Sequence, residues 1–70
     1  MVTYKMKTHM MPGGTIVKVV WETDPQSQRG LLSDEHVYVV VGGKTIPGAY
    51  PFGKKAAEKL FNDLCALVAN

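Results

Sequence analysis

Apolar and polar positions change period along this 70-residue chain. They alternate through most of its length, then recur every three to four residues near the C-terminus. Residues 2–8 alternate, with Val2, Tyr4 and Met6 on one side and Thr3, Lys5 and Lys7 on the other. That pattern predicts a half-buried strand, ended by Pro12-Gly13-Gly14. Thr15–Thr23 is rich in β-branched residues and reads as a second strand. Its row of Val17, Val19 and Trp21 is expected to face the core, whereas Ile16, Lys18, Val20 and Glu22 form a mixed row. His36–Val41 is apolar on nearly every position, with Val37, Val39 and Val41 on one face and His36, Tyr38 and Val40 on the other. A strand of that kind is central, or is covered on its second face by a partner. Gly42-Gly43 supplies a two-residue hairpin turn that needs positive φ at both positions. Lys44–Gly48 returns as a short strand in which Pro47 marks an edge or an end. Over 54–69 the spacing of Ala57, Leu60, Phe61, Leu64, Leu67 and Val68 predicts one amphipathic helix, with Cys65 beside the stripe and a Lys59–Asp63 pair at i, i+4 on the wet side.

The connections are polar. Asp24-Pro25 breaks the second strand, Gln26–Gly30 reads as an exposed loop, and Leu31-Leu32 is an apolar pair inside it. Ser33-Asp34-Glu35 is expected to cap a single helical turn. The resulting fold class is α+β, a small antiparallel sheet of three to four strands with one C-terminal helix on one face (ββββα), forming a single domain over residues 1–70. All four methionines fall within the first eleven residues, so residues 1–10 have a second reading as an N-terminal extension to that domain.

Composition narrows the class. With 46% hydrophobic and 20% charged residues the chain has a globular balance, and its size leaves room for one small core. A single cysteine excludes an intrachain disulfide framework and suits a reducing, cytoplasmic setting. No apolar run approaches the roughly 20 residues of a membrane-spanning helix.

Catalytic chemistry finds little support. Cys65 lies mid-helix beside the core stripe, where a thiol behaves as a small apolar group. His9 and His36 have no carboxylate at a spacing that would orient them, and the paired glycines lack the loop, helix and lysine context of a phosphate cradle. The expectation is a non-enzymatic protein without cofactor or metal. Met6, His9, Met10 and Met11 offer soft donors that suit Cu(I), but strand alternation separates them.

Charge is the informative signal. The formal total is +2, yet residues 1–20 hold Lys5, Lys7 and Lys18 without an acid, and residues 21–40 hold Glu22, Asp24, Asp34 and Glu35 against Arg29. Lys54 and Lys55 open the helix, where the dipole and free N–H groups are already positive. A pair of cations there makes sense if an anion docks, and nucleic acid phosphate is the obvious one. The expected contacts are Lys54, Lys55, Lys59 and Lys44. If Lys5, Lys7 and Lys18 share the sheet's open face, that face is basic as well.

From His36 to Val68, the valine-rich strand, the Gly42-Gly43 hairpin, the short strand and the Gly53-Lys54-Lys55-Ala56-Ala57-Glu58 helix opening resemble the second half of double-stranded RNA-binding domains. The resemblance implies a lysine-rich helix start gripping phosphates across the major groove, carried here by Lys54 and Lys55. It covers about half of the chain. Residues 1–14 read as a strand and a break where that family has a helix. A sheet followed by such a helix is also similar to the arm-type DNA-binding domains of phage integrases, whose sheet enters the groove.

The alternative is a protein-binding inhibitor or adaptor of the kind encoded by phages and mobile elements, such as an anti-defence protein, which acts by occupying a partner surface. Its anchors would be Trp21, Leu31, Leu32, Tyr50 and Phe52, although Trp21 also suits the core and Tyr50-Pro51-Phe52 a staple at the helix start. An exposed strand edge would let two copies pair as a homodimer.

Overall fold

A computed structural model describes residues 2–24 and 33–69. The Gln26–Gly30 loop, Pro25, Arg29, Leu31 and Leu32 lie outside the described residues. Four strands, β1 (Val2–Met10), β2 (Ile16–Thr23), β3 (Glu35–Val41) and β4 (Lys44–Ala49), precede one helix, α1 (Lys54–Ala69). The strands form a single antiparallel sheet in sequential order. This is the expected α+β, ββββα arrangement. Residues 2–10 form the edge strand β1.

The predicted turns hold. Gly42 and Gly43 have φ of 56° and 85°, the positive pair that lets β3 and β4 join through two residues. At the other hairpin, the Met11 N–H donates to the Thr15 carbonyl at 2.8 Å and the Gly14 N–H to the Met11 carbonyl at 3.0 Å. The Gly42 N–H also donates to the Ile16 carbonyl at 3.0 Å, which ties the β3–β4 turn to the start of β2.

The core lies between the sheet and α1. Val17, Val19, Trp21 and Val37 are buried on one face of the sheet, and Ala57 and Phe61 of α1 close over them. Leu60, Leu64, Cys65, Val68 and Val39 pack around this cluster. The Trp21 and Phe61 rings meet tilted, 6.3 Å between centroids. Leu67, expected in the stripe, is 72% exposed, because it is turned away from the face that Ala57 and Phe61 present. Lys59 and Asp63 form the expected pair at 2.9 Å on the wet side.

Two expectations are corrected. First, β1 does not turn Met6 inward. Its register shifts between Thr3 and Lys5, after which Lys5 pairs with Trp21, Lys7 with Val19 and His9 with Val17. Directly opposed residues share a face, so these three stand on the helix side, while Met6, Thr8 and Met10 stand on the open face. The lysines are accommodated there because α1 reaches only the margin of β1. Lys5 runs its stem along that margin to Glu58 at 3.7 Å, with its ammonium 6.0 Å from the Trp21 ring centroid, a long cation keeping its head in water. Lys18 pairs with Thr8 and Val40 and stands on the opposite face. Lys5, Lys7 and Lys18 therefore do not share the open face.

Second, Ser33-Asp34-Glu35 caps no helical turn. It leads directly into β3, and the Ser33 hydroxyl accepts the Glu35 N–H at 2.9 Å and donates to the Pro51 carbonyl. The Glu35 side chain is buried. Its two oxygens accept the Trp21 indole N–H at 2.7 Å and the Thr23 hydroxyl at 2.8 Å. A buried carboxylate needs such partners. This network joins β2, β3 and the segment ahead of α1.

Candidate functional site

The four lysines singled out from the sequence do not converge. Lys54 and Lys55 are exposed in the first turn of α1, which has no acidic residue. Lys59 lies one turn further on, engaged with Asp63. Lys44 is opposite Val41, which is opposite Val17 and so level with His9. His9 lines a cleft with Val68 and Ala69, so Lys44, across the sheet from His9, lies at the end of the molecule level with the last turn of α1.

The aromatic and apolar candidates also divide. Trp21 is 1% exposed and belongs to the core, so it offers no surface to a partner. Phe52 stands out at the start of α1, largely in solvent, and does not staple it. Leu31 and Leu32 lie outside the described residues. Tyr50 is half-buried and stacks on His36, with centroids 4.4 Å apart and planes 10° from parallel. His36 also meets Tyr38 at 4.7 Å.

That stack belongs to a feature the sequence did not reveal. Glu22 lies opposite His36 across the β2–β3 pair, 3.7 Å from its Nδ1. His36 thus does have a carboxylate neighbour, fourteen positions away along the chain and adjacent only through strand register. The Tyr38 hydroxyl is held above its ordinary pKa by burial, and further by the negative charge of Glu22 and a hydrogen bond to it. Glu22, His36, Tyr38 and Tyr50 together close one end of the open sheet face.

Along the rest of that face Val20 is buried between its neighbours, while three large apolar side chains stand in solvent. Met6 is 56%, Met10 74% and Ile16 43% exposed, with Met10 directly opposite Ile16 and Met6 opposite Val20. Among the described residues Lys18 is the cationic side chain set among them. At the end away from the aromatic stack, the two hairpin turns flank a notch of about 390 Å³ lined by Gly14, Thr15, Ile16, Lys18, Val40, Gly42 and Gly43.

Of the soft donors, His9, Met10 and Met11 line one cleft near the end of α1. Met6 and Met10 stand on the open face, and His9 on the other. Among the described residues no group of three His, Cys, Asp or Glu could hold a metal ion. Cys65 packs against the core. Burial pushes its thiol above the ordinary range, partly offset by the positive charges of Lys7 and Lys5. No helix among the described residues is long and apolar enough to cross a membrane. In comparison with known proteins, the chain matches no family model, no curated protein and no solved structure.

Proposed function

We propose that this protein is a protein-binding module that works through the open face of its sheet. One observation carries the reading. Met10 and Ile16 are exposed side by side on the face opposite α1, and Met6 is exposed on the same face beyond the Thr8–Lys18 pair. Large apolar side chains scattered singly need no explanation, but contiguous ones mark interaction surfaces. Methionine is suited to such a surface because its unbranched, polarisable side chain repacks against differently shaped partners. The module acts by occupying a surface of its partner, as an inhibitor or adaptor does.

The test places a photo-crosslinking residue at Met10 and, separately, at Lys55. A defined protein adduct is expected from position 10, none from position 55, and loss of the adduct when Ile16→Asp is added. Absence of any adduct from position 10 would overturn the reading.

A second reading rests on Lys54 and Lys55, two exposed cations side by side in the first turn of α1. On that reading the module binds nucleic acid backbone. Titration with duplex RNA, duplex DNA and single strands at two salt concentrations tests it. Salt-sensitive binding that disappears in the Lys54→Glu, Lys55→Glu double variant supports it. No binding at low salt ends it.

A further inference from the structure

The notch at the end of the open face is held rigidly for its size. Its floor comes from Lys18 and Val40, neighbours across the β2–β3 pair. One wall is the β1–β2 turn, closed by the two hydrogen bonds between Met11 and Thr15 or Gly14. The other is the Gly42-Gly43 turn, fixed to Ile16 by the Gly42 N–H. Three of its lining residues are glycines with φ between 56° and 91°. They turn the chain without adding side chains, so the space between the hairpins stays open.

Charge decides what fits there. Among the described residues the open face carries ionisable side chains of opposite character at its two ends. At one end Glu22 faces His36 and holds the Tyr38 hydroxyl. At the other, Lys18 has no acidic partner among the described residues, and its surroundings are Ile16, Val40, Thr15 and glycine backbone. An exposed ammonium flanked by apolar side chains favours one carboxylate and repels a second cation. A polyanion gains little from it, because binding one requires several cations tracking successive phosphates.

Resting on the protein-binding reading above, we infer that the partner docks through an apolar segment carrying an acidic side chain, its carboxylate seated on Lys18 in the notch. The apolar residues flanking that acid lie along Ile16, Met10 and Met6. The acid sets orientation and selectivity, and the methionine row supplies the apolar burial.

The probes are three short fluorescein-labelled peptides of one apolar sequence, with Asp, Asn or Lys at the central position. Fluorescence anisotropy against the whole protein is expected to rank them Asp, Asn, Lys, with the Asp peptide about tenfold tighter than the Lys peptide, as expected for a single partly exposed charge pair replaced by a like-charge one. Lys18→Glu is expected to invert the order, and Lys18→Met to abolish the preference while leaving the Asn peptide bound. Lys18 is exposed, so both variants should keep the thermal midpoint of the parent protein, which circular dichroism checks. Equal affinity for the three peptides, or an order unchanged in Lys18→Glu, overturns the inference. Failure of every peptide to bind overturns it too. If position 10 still crosslinks to a protein in that case, the protein-binding reading survives and only the acidic-segment inference falls. Displacement of the Asp peptide by a duplex oligonucleotide would place phosphate on Lys18 and overturn both.

Discussion

The two faces of the sheet are built from the same strands but obey different rules. On the helix side, Val17, Val19, Trp21 and Val37 are buried against Ala57 and Phe61, and the one buried carboxylate has a donor on each oxygen. On the open side, Met6, Met10 and Ile16 face solvent, and Lys18 stands among them. The first face answers to packing, where each lost methylene or donor is felt. The second buries Val20 but leaves Met6, Met10 and Ile16 in water. The contrast separates residues that keep the chain folded from residues that give it something to do.

The largest effect expected from breaking this contrast comes from Trp21→Ala. It empties the centre of the core and leaves one Glu35 oxygen without its donor. A loss of about 3–5 kcal/mol consumes most of the stability available to a domain of this size. Circular dichroism in urea should show a largely unfolded population in water. Next is Glu35→Ala, which leaves the Trp21 N–H and the Thr23 hydroxyl buried without an acceptor. Its expected cost is about 2–3 kcal/mol, with Glu35→Gln milder because one carbonyl remains to accept. A Glu35→Ala variant as stable as the parent would show that the network is not part of the fold's support.

On the open face, Ile16→Thr is expected to move stability by no more than about 0.5 kcal/mol, while weakening the crosslink from position 10. Loss of folding instead would erase the distinction between the faces. The smallest effect concerns Tyr38. Its folded pKa lies above the ordinary value, so folding favours the protonated phenol. That contribution is fully present below the ordinary tyrosine range and is lost as pH rises through the raised value. Phenolate absorbance, with Tyr38→Phe subtracted, should show a late-titrating tyrosine. Glu22→Gln should bring it part of the way back, with burial accounting for the rest.

Much of the helix-side face was legible from sequence. The Val17–Val19–Trp21 row, the Gly42-Gly43 turn and the stripe through Ala57 and Phe61 are each local, and each is governed by a period or a required φ. What escaped is set by pairing between distant segments. The alternation of β1 points Met6 inward only while its register is unbroken, and the shift after Thr3 exchanges its two faces. The Glu22–His36 pair and the three-way network at Glu35 exist because of cross-strand register, which no window of neighbouring residues contains. The candidate site suffered more than the fold. Lys44, Lys54, Lys55 and Lys59 look like one basic group along the chain, and the hairpin carries Lys44 to the far end of the molecule.

The last strand has a consequence for behaviour in concentrated solution. Pro47 removes a backbone donor from β4, and the register of β4 shifts between the partners of Val37 and Val39. Gly48 lies so close to the Val37 carbonyl and to Tyr38 that a Cβ there would overlap both. At the opposite edge, β1 carries Lys5 and Lys7. One border of the sheet is thus interrupted and the other charged, two devices that discourage sheets from growing by adding strands. A chain that displays methionines and isoleucine to solvent would otherwise be at risk of fibrous assembly. With its borders guarded, the exposed apolar side chains are confined to one broad side of the sheet, away from the edges where strands could add.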